Sequence, residues 1–106
     1  MDCSKIEIEL TLQMYPIAKK KLALLNSLVI PDKHASLIKV DYYSYIEHTV
    51  NYWLTFLSEE EITIIIQRSF KRKSFYKIAQ TMNYSNHSVI CKKYNKIIRK
   101  IMTLIK

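Results

Sequence analysis

The sequence contains no glycine, and it has only two prolines and two cysteines in 106 residues. Without glycine, the chain cannot form the glycine-rich loops that hold phosphates against backbone N–H groups in nucleotide-binding sites. Tight β-hairpins also favour glycine, whereas long helices with short connections do not need it. Apolar residues make up 49% of the chain, which argues against a disordered protein. The composition therefore predicts an all-α fold.

The two cysteines, Cys3 and Cys91, lie far apart in the chain and have no metal-binding spacing with each other or with histidine. Few cysteines are typical of a reducing cytosol. The longest aliphatic run is residues 22–25, far short of the roughly 20 residues that cross a bilayer. The N-terminus also lacks the pattern of a signal peptide. We expect a cytoplasmic protein, without a metal, a cofactor or a membrane partner.

Acidic residues are absent after Glu61. Residues 1–61 carry nine acidic and six basic residues, a net charge of −3, whereas residues 62–106 carry eleven basic residues and no acidic one, a net charge of +11. A solvated surface usually mixes both signs, because like charges repel each other. The excess of positive charge in the second part predicts a polyanionic partner, and we expect nucleic acid.

Residues 1–56 are predicted to form a helical N-terminal region. Apolar and polar residues alternate over residues 1–14, which fits a strand by period, and a helical start fits equally well. Pro16 suits a first helical turn, and the pattern then predicts a helix that runs to about Val29. Pro31 and Asp32 are predicted to end this helix. Its buried side is predicted to hold Ile17, Leu24, Leu25 and Leu28.

Residues 31–40 are predicted to link this helix to a second helix, which Asp41 caps. The second helix carries a stripe of apolar residues, mostly aromatic, that is more typical of a core than of a ligand cage. The stripe is Tyr42, Tyr45, Ile46, Tyr52, Trp53 and Phe56. The sequence leaves open whether the N-terminal region packs on the rest of the chain, forms a homodimer or binds another partner.

Residues 57–106 are predicted to form a module of three helices. Ser58 and Glu61 have the spacing of a capping box, which predicts a helix from residue 59 to about residue 70. The alternative for the acidic run 59–61 is a metal site or an acid–base pair, but helix capping accounts for all three carboxylates.

After a basic turn at residues 71–73, Ser74 is predicted to cap a short helix with Phe75, Ile78, Ala79 and Met82 facing inward. Asn83 should end this helix in a left-handed conformation, and Ser85 should cap the last helix. The 3.6-residue period divides the last helix into two sides. The predicted core side holds Ile90, Tyr94, Ile97, Ile98, Ile101 and Ile105. The opposite side holds Ser88, Lys92, Asn95 and Arg99, with Cys91 and Lys96 at its edges.

The segment LSEEEITIIIQRSFKRKSFYKIAQTMNYSNHSVICKKYNKIIRKI, residues 57–101, resembles region four of bacterial sigma factors. The shared marks are a leucine before an acidic helix start, a basic turn, KIAQTM in the first short helix, and a serine that opens the last helix before a valine. Phage transcription regulators of the ArpU type are similar in length and layout. Two alignments with the family's valine position are open. If Val89 takes this position, Lys93 falls at a core position of the last helix. If Ile90 takes it, Tyr94 falls at that core position instead.

This resemblance implies a helix-turn-helix module whose last helix enters the major groove of double-stranded DNA. Amide and lysine side chains pair with purine edges there, and basic residues bind phosphates. The base-contacting residues are predicted to be Asn86, His87, Ser88, Cys91 and Lys92, together with Asn95 on the same side. The phosphate-binding residues are predicted to be Lys71, Arg72, Lys73, Ser74, Lys77, Lys93, Lys96 and Arg99, and Lys100 is expected to join them.

The resemblance therefore leads us to expect a sequence-specific transcription regulator encoded by a phage or another mobile element, acting at the nucleoid in the cytoplasm of a bacterial host cell. The alternative is a sigma-like module that binds RNA polymerase or another host protein without recognising a DNA sequence. Cys91 and His87 could form a catalytic pair by spacing, but no acidic residue lies near them in the sequence to orient it. We expect the protein to have neither an enzymatic activity nor a small-molecule substrate.

Overall fold

The computed structural model describes residues 3–27 and 33–105, and the regular elements in this part of the chain are all helices. The all-α prediction is confirmed. A π-helical segment, Ile66–Phe70, continues directly from the third helix. The α-helices are α1 (Cys3–Ser27), α2 (Lys33–Leu54), α3 (Glu59–Ile65), α4 (Phe75–Thr81) and α5 (His87–Ile105).

A single apolar cluster joins helices on both sides of the predicted boundary at Leu57. Helices α1 and α2 contribute Ile8, Leu12, Tyr15, Val50 and Trp53 to it. The later helices contribute Ile64, Ile65, Ile78, Ala79, Ile90, Tyr94, Ile97, Ile98 and Ile101, and Leu57 itself is buried among them. The division into residues 1–56 and 57–106 stays a prediction, and the core crosses it.

Helix α1 begins earlier than predicted, and Pro16 lies inside it rather than at its start. Proline lacks the backbone N–H and ordinarily kinks or ends a helix. Here the neighbours Leu12, Tyr15 and Ala18 are buried, so tertiary packing holds the helix together across the proline. The strand alternative for the alternating residues is also wrong over residues 3–14, because these residues are helical.

The buried side of α1 differs from the predicted one. Ile17 and Leu24 are 40% and 51% exposed, Leu25 is half-buried, and Ile8, Leu12, Tyr15 and Ala18 face the core instead. Apolar residues lie on two sides of this helix, so the pattern by itself could not show which side packs. Three parts of the prediction lie outside the described residues: Leu28, the helix end at Val29, and the helix-ending residues 31–32.

Helix α2 begins at Lys33, so the predicted linker is helical over residues 33–40, and Asp41 lies inside the helix instead of capping it. No proline or glycine interrupts residues 33–54, so the backbone has no reason to begin its helix at Asp41. Of the predicted apolar stripe, Ile46 and Trp53 are buried, whereas its other members are exposed: Tyr42, Tyr45, Tyr52 and Phe56.

The capping box of α3 is formed as predicted. Ser58 N donates to Glu61 Oε1 at 2.8 Å, and Glu61 N donates to Ser58 Oγ at 3.2 Å. The helix and its π-helical continuation end at Phe70, close to the predicted end. The Ser58 N–H holds the pKa of Glu61 below its usual range, and the Lys100 ammonium lowers it further.

The lowered pKa of Glu61 predicts a loss of stability in acid. A carboxylate whose folded-state pKa is depressed stabilises the protein above its unfolded pKa, near 4.5, and this stabilisation is lost as the pH falls through the folded pKa. We expect Glu61→Gln to lower stability at neutral pH and to flatten its decline in acid, as measured by urea unfolding across this pH range. Glu59→Gln, in the same turn but outside the capping box, is the control. Identical pH dependence of the two variants would contradict the prediction.

Candidate nucleic-acid interface

The basic turn after the π-helical segment has a defined backbone. Lys71 N donates to Ile66 O at 2.9 Å and Lys73 N to Gln67 O at 2.9 Å, and Arg72 adopts a left-handed conformation with φ of 56°. The Arg68 guanidinium donates to Lys73 O at 3.1 Å and lies 4.0 Å from the centre of the Phe75 ring.

Of the cations in this turn, Lys71 and Arg72 are exposed and Lys73 is half-buried. Lys77, in the first turn of α4, is exposed as well. The predicted phosphate-binding residues of this region therefore lie together at the start of α4, where a polyanion can reach them.

Helix α4 begins and ends as predicted. Ser74 Oγ accepts from Lys77 N at 3.2 Å, which leaves the serine engaged as the helix cap. At the other end Asn83 has φ of 62°, and Tyr84 N donates to Ala79 O at 2.8 Å, as in a Schellman motif. Asparagine is the residue that best replaces glycine in this conformation, which explains how a chain without glycine makes the corner. On the inner side, Ile78 and Ala79 are buried, and Phe75 and Met82 pack against the core as predicted.

Asn86, and not Ser85, caps α5. Asn86 Oδ1 accepts from Ser88 N at 2.9 Å, and the helix begins at the next residue, His87. Both residue types are good caps, so the sequence predicted the cap but misplaced it by one position. The carboxamide oxygen of Asn86 is therefore engaged, whereas its amide nitrogen has no protein partner among the described residues.

Removing this cap should destabilise the protein. We expect Asn86→Ala to lower the free energy of unfolding by about 1 kcal/mol, because the N–H of Ser88 loses its acceptor. Asn86→Ser should cost less, since a serine hydroxyl can accept the same hydrogen bond. Thermal or urea unfolding of both variants measures the difference. Equal losses for alanine and serine would mean that the side chain does not cap the helix.

The core side of α5 is close to the prediction. Ile90, Tyr94, Ile97, Ile98 and Ile101 are buried. Ile105 is 54% exposed, contrary to the prediction, because the last turn of α5 borders an open groove at the edge of the core.

Val89 and Ile90 were the two candidates for the core position in the first turns of α5. Ile90 is fully buried whereas Val89 is 37% exposed, so Ile90 takes that position and Lys93 lies outside the core.

One flank of α5 faces the start of α3. Lys93 Nζ lies 3.1 Å from Glu60 Oε1, and Lys100 Nζ lies 3.1 Å from Glu61 Oε1. The Tyr84 hydroxyl also donates to Glu60, and with Lys93 it lowers the pKa of that carboxyl. Both lysines were predicted to bind phosphates, but the structure pairs each of them with a glutamate.

The other flank of α5 is covered by α1. Asn95 Oδ1 accepts from Lys5 Nζ at 3.4 Å, and Tyr94 Oη donates to Glu9 Oε2 at 2.8 Å. Burial and the hydrogen bond to Glu9 raise the pKa of Tyr94 well above its usual range. Cys91 and Asn95 are half-buried here, so two predicted base-contacting residues lie at the edge of the accessible surface. These long-range contacts depend on how α1 is oriented and leave no local signal in the sequence.

The solvent side of α5 lies between these flanks. It carries Ser88, Lys92, Lys96 and Arg99, with His87 exposed at the helix start. In the part of the chain that the structure describes, none of these cations forms an ion pair. Lys92 and Arg99 are seven residues apart, about 10 Å along the helix. The solvent side is therefore an uncompensated positive ridge two turns long.

Within residues 3–27 and 33–105, no cluster of three histidine, cysteine or acidic residues could hold a metal ion. Over the same ranges, no helix has the length and apolar character needed to cross a membrane. Searches of protein-family models, curated proteins and solved structures found nothing that matches this chain.

Proposed function

We propose that the protein is a sequence-specific DNA-binding regulator of transcription, encoded by a phage or another mobile element. Helices α4 and α5 would form the helix-turn-helix, and α5 would enter the major groove. The observation that carries this proposal is the solvent side of α5, where Lys92, Lys96 and Arg99 are exposed and have no acidic partner among the described residues. The resemblance of residues 57–101 to region four of sigma factors points the same way.

The position of each side chain suggests how the contacts divide. Ser88 and Lys92 lie on the solvent side in the first turns of α5, and His87 is exposed as the first residue of the helix. We assign the base contacts first to these three residues. Asn86 can add an amide N–H while its oxygen caps the helix. Cys91 and Asn95, half-buried beside α1, would contribute only at the margin of the contact.

Phosphate contacts are assigned to the cations around these base-contacting residues. Lys96 and Arg99 continue the solvent side of α5, and Lys71, Arg72 and Lys77 are exposed near the start of α4. Lys73 and Ser74 lie in the same turn. Lys93 and Lys100 would bind phosphate only in exchange for their glutamate partners, so we expect little from them.

Selection of bound sequences from a randomised pool of DNA duplexes tests the proposal. The purified chain is used at about 150 mM salt, so that binding by charge alone is weakened. Enrichment of a short motif supports the proposal. Retention of DNA without an enriched motif would contradict it and favour the alternative, a module that binds RNA polymerase or another host protein.

Single replacements then separate base contacts from phosphate contacts. Lys92→Ala and Asn86→Ser should relax the selected sequence at one or two positions, and Asn86→Ser does so while it keeps a capping hydroxyl. Lys71→Ala should weaken binding to all sequences alike, because phosphates carry no sequence information. If all three variants lost affinity uniformly, the placement of α5 in the groove would be wrong.

A further inference from the structure

Helix α2 has a second apolar side that nothing in the described chain covers. The aromatic seam, as we call it, consists of Tyr42, Tyr45, Thr49 and Tyr52 on this side of α2 and of Phe56 in the turn that follows the helix. Its four aromatic residues are 51%, 65%, 55% and 44% exposed in chain order. Tyr42, Tyr45 and Tyr52 lie on one helix, and the Phe56 ring lies 5.1 Å from the Tyr52 ring in an edge-to-face arrangement. Exposed apolar surface of this kind marks an interaction site.

The seam is distinct from the side of α2 that packs in the core. Its members on α2 are spaced three or four residues apart, which places them in one stripe along the helix. The turn after Leu54 keeps the Phe56 ring beside that of Tyr52. The buried residues Ile46, Val50 and Trp53 form a neighbouring stripe, about a quarter turn away. The helix therefore has two apolar stripes, and the rest of the described chain packs against only one of them.

We propose that the second partner is another copy of this chain, packed antiparallel along the aromatic seam. A two-fold symmetric interface uses the same patch on both subunits, so the patch must be complementary to itself. The seam has this property: two aromatic residues, one small residue and two aromatic residues follow each other in either direction. When two copies cross antiparallel near Thr49, Tyr42 and Tyr45 of one face Tyr52 and Phe56 of the other. The small central residue lets the helices approach closely.

The size of the seam also fits a dimer. With about 200 Å² for each fully exposed aromatic side chain, the observed exposures leave roughly 400 Å² of aromatic surface on each copy. A standard interface buries about 800 Å² per partner, of which somewhat more than half is apolar. The seam alone thus supplies most of the apolar area that such an interface needs.

The surroundings of the seam add mostly uncharged area, and the one charged residue that lines the adjacent groove is Glu7 of α1. Tyr45 and Thr49 border a groove of about 220 Å³ that is also lined by Thr11 of α1 and by Leu104 and Ile105 of α5. The five seam residues are uncharged, so two copies can meet there without repulsion. The solvent side of α5, with three exposed cations, could not pair with itself in this way.

Sedimentation velocity without DNA tests the dimer, and its outcome does not depend on the proposed function. We expect a species of twice the 12.6 kDa chain mass at micromolar concentrations. Tyr45→Glu combined with Tyr52→Glu should convert it to a monomer with unchanged helix content. Tyr76→Glu, which charges a 60% exposed tyrosine of α4, is the matched control and should stay dimeric. A monomeric wild type, or a double variant that stays dimeric, would overturn the proposal.

Cross-linking tests the antiparallel crossing itself. In a background with Cys3→Ser and Cys91→Ser, Thr49→Cys should give a covalent dimer with a short bismaleimide, because the two copies meet near this residue. Ser44→Cys is the control, since Ser44 is also half-buried but lies on another side of α2. Equal cross-linking of the two variants would exclude the seam as the interface, even if the protein were a dimer.

Discussion

Replacing Lys92, Lys96 and Arg99 together with alanine should weaken DNA binding by about 100-fold at 150 mM salt. These three side chains are the cations on the solvent side of α5, and the structure gives them no acidic partner in the described residues. Each contact with a phosphate releases bound counterions from the DNA, which favours binding most at low salt. Loss of two such contacts, at Lys96 and Arg99, together with the base contact assigned to Lys92 accounts for the expected factor.

The salt dependence gives a second measurement of the same effect. The slope of log K against log salt should become shallower by about 1.8, since Lys96 and Arg99 each remove about 0.9 from it. The base contact assigned to Lys92 does not change the slope, and its loss should relax the sequence preference instead. Fluorescence anisotropy with a selected duplex at several salt concentrations measures both quantities.

The chain provides a matched control in Lys19, Lys20 and Lys21. These residues are also exposed, and they lie on α1, so their triple alanine variant has the same net charge as the α5 variant. We expect this control to lose less affinity than the α5 variant, because its cations lie on α1 and only Lys20 lines a groove with Arg72, one of the proposed phosphate contacts. Equal losses in the two variants would show that net charge alone binds DNA and that α5 has no special position.

Local signals in the sequence predicted the helix ends of residues 57–106 well. The capping box at Ser58, the cap at Ser74 and the left-handed Asn83 each depend on side chains a few residues apart, and all three are formed. The strong period of α5 likewise placed five of its six predicted core residues correctly. Local chemistry fixed these features, so no knowledge of the rest of the chain was needed.

The N-terminal region could not be predicted in the same way, because its helices have apolar residues on more than one side. Ile17 and Leu24 compete with Leu12 and Ala18 for the core side of α1, and only contacts with distant helices decide between them. The same ambiguity hid the fact that most of the aromatic residues of α2 are exposed. In the candidate site, the glutamate partners of Lys93 and Lys100 were missed for the same reason, since they lie more than 30 residues away in the chain.

Replacing Leu12 with alanine should lower the free energy of unfolding by about 2–5 kcal/mol, the usual cost of emptying a buried leucine site. Leu12 is fully buried in the cluster that α1 shares with the later helices. Leu10→Ala is the control: Leu10 is 56% exposed on the same helix, and its loss should cost less than about 0.5 kcal/mol. A strand would place both leucines on one side, whereas a helix turns them about 200° apart.

The urea-unfolding transition shows whether the core unfolds cooperatively. Because the cluster crosses residue 57, we expect the Leu12→Ala variant to unfold in a single transition that far-UV circular dichroism and Trp53 fluorescence report at the same urea concentration. If residues 57–106 were an independent domain, the fluorescence of Trp53 would change first and much of the helical signal would remain. That outcome would mean that α1 does not contribute to the stability of the proposed DNA-binding helices. Coincident transitions would mean that α1, which also covers the flank of α5 at Asn95, helps to hold that helix in place.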